Sequence, residues 1–284
     1  DGSEERDPEP ALVMEPDTLP PLEPDGLALD SYRVHSLLVP SRGRTRWGFL
    51  LTSRGCPHRC IFCSATLRAS YGHEYRAQSA ARVAEDMQRL VRDHRIGAFY
   101  LIDDYFTLDR QRVIDLCRIL IDRRFGVHWA IQTRAESVDL EMLRLLKRAG
   151  CTAVKVGVES GVDRILELLD KGCSRDIFVS AARDIREAGL YLTACFMIGN
   201  PTETLEDIEK TFRFALRLQA DMIQVALHTP YPGSRSYEMY SDRIRDPSEL
   251  SHYDGKPAPI TDIDMKVLEA CQRKFYLRYY LNPR

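Results

Sequence analysis

Three cysteines stand close together in "GCPHRCIFCS": Cys56, Cys60 and Cys63, spaced C-x3-C-x2-C. Pro57 biases Cys56 away from helix, so the segment starts as a loop and can curl until the three sulfurs converge. Such a set has three readings. A structural zinc site wants four ligands, commonly as two paired hooks. His58 and His73 could complete one, but no second hook exists. A ferredoxin-type cluster wants four thiolates. Three on a [4Fe–4S] cube leave one iron open, and an open metal position is where a substrate binds. The third reading is incidental thiols. Phe62, just before the last cysteine, could shield a cluster from water.

The elements that must position these thiols are visible in the periodicity. "WGFLLTS" (47–53) is an apolar run that reads as a buried strand, and the cysteines follow it directly. Helical spacing follows over 79–94, with Ala80, Val83, Ala84, Met87, Leu90 and Val91 on one face. Further strands are expected at 98–104, 127–133, 152–160, 191–199 and 222–229. Helices are expected at 109–124, 139–149 and 204–218, with short helices after the fourth strand. Strands recurring about every 30 residues with helices between them are βαβ units, parallel and right-handed. The expected fold is therefore α/β: a partial (β/α)6 TIM-like barrel with an extended N-terminal linker and a C-terminal helical segment. Ligands belong at the carboxyl ends of such strands, and the cysteines fall there.

Seven of the 15 prolines lie in residues 1–40 and none between His58 and Asn200. We therefore divide the chain into a Pro-rich acidic linker (1–45), a core (46–240) and a C-terminal extension (241–284), whose closing helix Thr261 can cap with Asp264 near its first turn. Nine acids and one Arg give residues 1–25 a charge of −8, and the remainder, with 39 basic and 33 acidic groups, carries +6. That mild excess suits an anionic ligand and falls short of a nucleic-acid domain. No apolar run reaches the ~18 residues of a membrane span. The chain opens without Met in polar sequence and has no signal peptide, so it reads as a fragment of a longer protein. Eight cysteines, three clustered, point to a reducing cytoplasm rather than a disulfide scaffold. The other five read as buried small hydrophobes.

Polar residues end the other strands. Asp103 and Asp104 close strand two, Gln132 and Arg134 strand three, Glu159 and Ser160 strand four. The plain alternatives are a helix cap or surface turn for the aspartates, a surface pair with Glu136 for Arg134, and a helix-capping role for Glu159 and Ser160. "TSRGCPHRCIFCS" followed by β/α units resembles the radical S-adenosylmethionine (SAM) superfamily over residues 46–240. The resemblance implies a [4Fe–4S] cluster on Cys56, Cys60 and Cys63. It implies SAM chelating the open iron, and reductive cleavage to methionine and a 5′-deoxyadenosyl radical that abstracts hydrogen from a substrate. It places Asp103 or Asp104 at the SAM ammonium, has Arg134 face the SAM carboxylate or fix the loop, and puts Glu159 and Ser160 at the ribose. The backbone around Ile198, Gly199 and Thr229 would flank the adenine, and His228 and Tyr231 are substrate-side candidates. The family often has Gly-Gly-Glu where this chain has Asp103-Asp104.

"DDYFTLDRQRVIDLC", "VKVGVESGVDRILELLDKG", "MIGNPTETLEDIEKT" and "RKFYLRYYLNPR" look like the branch with an N-terminal cobalamin-binding domain, which includes anaerobic magnesium-protoporphyrin ester cyclases and radical methylases. The resemblance implies a small-molecule substrate, an electron donor such as a flavodoxin or ferredoxin, and cobalamin only in the full-length protein. Two other readings stand beside it: a non-catalytic zinc or iron–sulfur binding module, which leaves the strand-end residues unexplained, and an RNA methylthiotransferase-like enzyme, which wants a second cluster and an RNA-binding extension.

Overall fold

A computed structural model describes residues 15–23, 33–34, 45–63, 74–244, 246, 250 and 260–282. Seven strands form one sheet: β1 (Arg33–Val34), β2 (Thr45–Leu50), β5 (Ala98–Leu101), β6 (His128–Thr133), β7 (Cys151–Glu159), β8 (Tyr191–Ile198) and β9 (Met222–Leu227), in that spatial order. From β2 to β9 every neighbour is parallel. Among the described residues no pairing joins β9 back to the other edge, and the six parallel strands make a partial barrel. Helices fill the crossovers: α1 (Ala80–His94), α2 (Arg110–Asp122), α3 (Leu140–Arg148), α4 (Asp163–Leu168), α5 (Arg175–Glu187), α6 (Leu205–Leu218) and α7 (Arg235–Tyr240). α8 (Met265–Leu281) closes the chain.

Local chemistry sets these boundaries. Ser79, Asp109, Asp139 and Thr204 each accept the N–H three residues on, satisfying a donor that the first helical turn leaves open. Thr204 and Asp207 complete a reciprocal capping box. The main core lies between the helices and the outer sheet face, and holds Phe99, Leu116, Trp129, Met142, Val154 and Phe196 among others. In β7 the valines at 154, 156 and 158 are buried, while Lys155, Gly157 and Glu159 are only partly so. Strand side chains alternate faces, so this last set points to the barrel interior. Trp47, Ala98, Tyr100, Ala130 and Ala153 form a separate small cluster on that inner face.

The structure departs from the sequence reading in three places. The linker is not wholly outside the sheet, because β1 pairs antiparallel with β2. Its stretch 15–23 does lie over a helix: Asp17 and Leu19 carbonyls accept from Arg82, and Leu22 from Arg89. A second, two-stranded sheet, β3 (Ser53–Arg54) with β4 (Arg76–Ala77), brackets the cysteine segment and was not expected. Asp264, not Thr261, caps α8; its side chain accepts from Lys266 N–H at 2.9 Å, whereas the Thr261 hydroxyl accepts from Ile263 N–H before the helix begins.

α8 also solves an edge problem. The free side of β9 would present unpaired backbone groups. Tyr276 and Tyr280 hydroxyls accept from Val225 and Ile223 N–H at 2.7 and 3.0 Å, and Gln272 donates to Val225 O at 2.7 Å. No helix among the described residues is long and apolar enough to cross a membrane.

Candidate active site

The cysteine loop leaves β2 through Gly55, whose φ is +85°. A Cβ there would lie 2.1 Å from the Glu74 carbonyl oxygen, so glycine is required by a backbone contact and not only by φ. The loop then folds on itself, with Cys63 N–H donating to Cys60 O at 3.2 Å. Two distant elements hold it. Ile61 N–H donates to Leu169 O at 3.0 Å, and Ser236 N–H of α7 donates to Ile61 O at 2.9 Å. Ile61 itself is buried among Ile165, Leu169 and Met197.

Cys56, Cys60 and Cys63 all line one cleft of about 410 Å3 at the carboxyl ends of the strands. Gln132, Arg134, Lys155, Glu159, Lys171 and Cys195 line it too. Burial pushes the Cys56 thiol up, with the His58 N–H and Arg134 pulling against it. Arg134 Nη1 donates to Cys60 Sγ at 3.5 Å; the same guanidinium bonds the Glu136 carboxylate and the Lys171 carbonyl. The expected pair with Glu136 is therefore present, but on a buried arginine that also reaches a cluster thiol.

The two aspartates separate. Asp103 is fully buried and accepts from Thr52 N–H (2.5 Å), Ser53 N–H (2.6 Å) and the Thr52 hydroxyl (2.6 Å). Arg112 backs this knot through Thr52 O and Oγ1. Asp103 thus clamps the end of β2 and does not line the cleft. Asp104 does line it. Burial raises its carboxyl, against the Gly55 N–H and Arg54. Gln132 accepts from Tyr100 OH at 3.1 Å and donates to the carbonyls of Ile102 and Asp103.

Glu159 sits at φ +67°, a left-handed conformation that a non-glycine residue adopts at a cost. Its Oε1 accepts from Lys171 Nζ at 3.0 Å. Lys171 is 4% exposed. Its ammonium also stands 5.8 Å from the Phe62 ring centroid, and Phe62 faces the same cleft. Ser160 turns away; its hydroxyl bonds Thr211 of α6 at 3.2 Å. Ile198 is in the core, and Gly199 makes its close approach to Leu268 of α8, 3.0 Å from where a Cβ would sit. The Thr229 hydroxyl donates to Leu227 O. His228 is buried, its Nδ1 bonded to Asn200 Oδ1 at 2.9 Å, and burial pushes its pKa down to about 3. Ser160, Ile198, Gly199, Thr229, His228 and Tyr231 lie outside the cleft's lining.

Sequence reasoning missed Lys155, Lys171, Cys195 and Gln224, which all line the cleft. Cys195 is largely buried, as expected, but on the inner face, where its thiol donates to Gln224 Oε1 at 3.7 Å and burial pushes its pKa up to about 12. For Lys155 the signal was present: alternation in "VKVGVE" puts it on the face of Glu159. Lys171 carries no local signal, because only the fold brings it across from α4 to β7.

The donor set bears on which group would fit. A zinc ion holds its ligands at roughly 2.0–2.3 Å from one point. Among the described residues no three His, Cys, Asp or Glu side chains are placed to hold a single ion; His73 lies outside them. Cys56, Cys60 and Cys63 line one cleft, and thiolates are the ligands that iron–sulfur clusters take.

A family model described as the radical SAM superfamily matches residues 50–215. An uncharacterized methyltransferase of Pyrococcus horikoshii is 30% identical over 286 residues, covering 100% of this chain and 60% of that protein. The anaerobic magnesium-protoporphyrin IX monomethyl ester cyclase of Rubrivivax gelatinosus is 31% identical over 194 residues, covering 68% of this chain and 34% of the cyclase. The chain therefore spans between about a third and 60% of these relatives' length. Among solved structures, the radical SAM methyltransferase TsrM of Kitasatospora setae superposes with a TM-score of 0.60 at 24% identity, covering 69% of this chain and 39% of its own. The apo form of the cobalamin-dependent SAM radical enzyme OxsB gives 0.64 at 20%, covering 81% and 41%. At that identity the likeness is one of fold. The half-barrel, the three thiols at its mouth and the match over residues 50–215 agree: the chain belongs to the radical SAM superfamily.

Proposed function

We propose that this chain is the core of an enzyme that cleaves SAM reductively and directs the resulting radical at a small molecule in the half-barrel. The observation that carries this is the convergence of Cys56, Cys60 and Cys63 on one cleft with Asp104, Arg134 and the Glu159–Lys171 pair. Cys56, Cys60 and Cys63 would hold a [4Fe–4S] cluster. With SAM on its open iron, such a cluster supplies the electron that splits SAM into methionine and a 5′-deoxyadenosyl radical.

The chain's own residues bind, orient and exclude water. Arg134 donates to Cys60 Sγ and so fixes where that sulfur points. Its ties to Glu136 and Lys171 O leave it a positioning residue rather than a clamp for the SAM carboxylate. Asp104 is the carboxylate we assign to the SAM ammonium, since it lines the cleft while Asp103 is fully buried outside it and tied to Thr52 and Ser53. Lys171 fixes Oε1 of Glu159, leaving Oε2 to accept from ribose hydroxyls. Phe62 screens the loop from solvent.

The finer reading is methyl transfer or ring closure, with cobalamin in the full-length protein. The Pyrococcus relative is named a methyltransferase and the Rubrivivax relative a cyclase. A flavodoxin or ferredoxin is the class of donor we expect to supply the electron.

The test is anaerobic reconstitution with iron and sulfide, reduction, addition of SAM, and quantification of 5′-deoxyadenosine. Wild type is expected to hold four irons per chain and release the nucleoside. The Cys56/Cys60/Cys63 triple alanine variant should do neither. A single-cysteine alanine variant that loads fully and still cleaves SAM would remove that residue from the ligand set.

A further inference from the structure

The half-barrel's inner face is divided into two chemistries, and the division names a substrate class. On the β2 and β5 side it is aromatic. Phe49 pairs in register with Tyr100, their ring centroids 6.3 Å apart and edge-on, and Trp47 lies 6.2 Å from Phe49. Ala98, Ala130 and Ala153 floor this wall. Trp47 and Tyr100 are buried, yet Phe49 is 57% exposed on the face that should be inside. Covering such a ring removes apolar surface from water, so the wall is a surface that gains by being covered.

The Phe49–Tyr100 row runs on through Ala130 and Ala153, and two residues further toward the carboxyl ends of β6 and β7 the inner face turns polar. Tyr100 OH bonds Gln132, and Gln132 pairs in register with Lys155. Both Gln132 and Lys155 line the cleft that holds the cysteines, so aromatic wall and cleft are continuous. The other cleft cations are matched: Lys171 to Glu159 and Arg134 to Glu136. Lys155 is half-buried and has no hydrogen bond or ion pair among the described residues. A half-buried ammonium without a partner is costly, and an incoming anion relieves that cost. Strands are about 4.8 Å apart and rise about 3.3 Å per residue, so Phe49 on β2 and Lys155 on β7, three strands over and two residues further along, are roughly 16 Å apart along the sheet at the backbone. A lysine side chain spans part of that gap. What remains fits a planar ring with an acid a few bonds away.

We propose that Phe49, Tyr100 and Lys155 form the substrate subsite of this chain and that it takes a planar aromatic acid, the ring against Phe49 and Tyr100 and the carboxylate on Lys155 Nζ. This rests on reading the cleft as the seat of SAM chemistry. The ring lies along the inner face beside the cleft, where a radical formed at the thiol end can reach it. Lys155 and Phe49 then determine specificity without touching the cluster.

The experiment is calorimetric binding of three probes to the reconstituted chain with SAM present: naphthalene-1-acetate, its neutral amide, and hexanoate. Naphthalene-1-acetate should bind about tenfold or more tighter than either of the others, as one charge-assisted bond and one ring contact each supply. Lys155→Gln should erase the difference between acid and amide, Lys155→Arg should keep it, and Phe49→Ala should weaken acid and amide alike by about tenfold. Iron content and 5′-deoxyadenosine are measured on the same samples. Equal binding of acid and amide, no binding of either, or a Lys155→Gln variant that behaves as wild type would overturn the inference, and the inner wall would then be the seat of further protein. If SAM is cleaved in those samples, the radical reading stands without the subsite. If a loaded cluster cleaves no SAM, that reading fails whatever the probes do.

Discussion

Asp103 and Asp104 are adjacent, identical in type and opposite in role. Sequence alone could say that a carboxylate was needed at the end of strand two, not which one, because the choice is made by Thr52 and Ser53, about 50 residues earlier. Asp103 accepts from three donors and lies outside the cleft lining; Asp104 lines the cleft. Removing Asp103 strands two buried N–H groups and the charge of Arg112. Asp103→Ala should therefore cost about 3 kcal/mol or more in chemical denaturation and lower iron loading with it. Asp104→Ala should cost about 1 kcal/mol or less, load iron normally, and bind SAM at least about tenfold more weakly. If Asp104→Ala binds SAM as wild type does, the ammonium contact belongs elsewhere. The same contrast explains what was legible at this scale. The cysteines, Gln132, Arg134 and Glu159 announced themselves by position at strand ends. Lys171 and the second bond of Arg134 did not, because each depends on a partner that only tertiary structure supplies.

At the scale of elements, the β/α rhythm was readable because each strand and helix is long enough for its period to show. The short pairs β1–β2 and β3–β4, two residues each on one side, are fixed by what flanks them and leave no periodic trace. The turn from β8 into α6 is a third kind of case. "GNPTE" reads as a loop, yet it buries a titratable knot: Glu203 Oε2 accepts from Gly199 and Asn200 N–H at 2.7 and 3.0 Å, and Asn200 in turn holds His228. Burial pushes Glu203 from 4.5 up to about 7. A carboxyl with a raised folded-state value binds more protons folded than unfolded between the two pKa values. Its contribution to stability is thus complete below pH 4.5 and is lost as pH rises through about 7. The loss should be roughly 3 kcal/mol. His228, pushed down to about 3, gives the opposite slope below its usual value of 6.5, so the two must be separated. Glu203→Gln keeps an acceptor for the two N–H groups and cannot titrate. Subtracting its pH–stability curve from that of wild type should leave a fall between pH 4.5 and 7; a flat difference would mean Glu203 is ionised in the folded protein.

For the whole molecule, the cysteine loop is the tie between parts that are far apart in the chain. It leaves β2, but its backbone is pinned by Leu169 O, between β7 and α5, and by Ser236 N–H of α7. Arg134, at the end of β6, reaches both Cys60 and Lys171 O. Four units of the half-barrel therefore meet at a segment held by a few backbone bonds, the Arg134–Cys60 contact and one small apolar cluster around Ile61. A group that binds all three thiols in the folded state and not in the unfolded chain stabilises by mass action. The effect should spread beyond the loop because the loop's partners are dispersed. Loading iron and sulfide anaerobically should raise the melting temperature by roughly 5–15 °C, the shift expected for about 3–4 kcal/mol in a chain of this size. Amide exchange at Ile61 and Ser236 should slow together with it. A Cys60→Ala variant, treated in the same way, should show neither change. A loaded wild type that melts where the unloaded protein does would mean the loop folds and frays on its own, and that the half-barrel is organised by its sheet and helices without help from the site it carries.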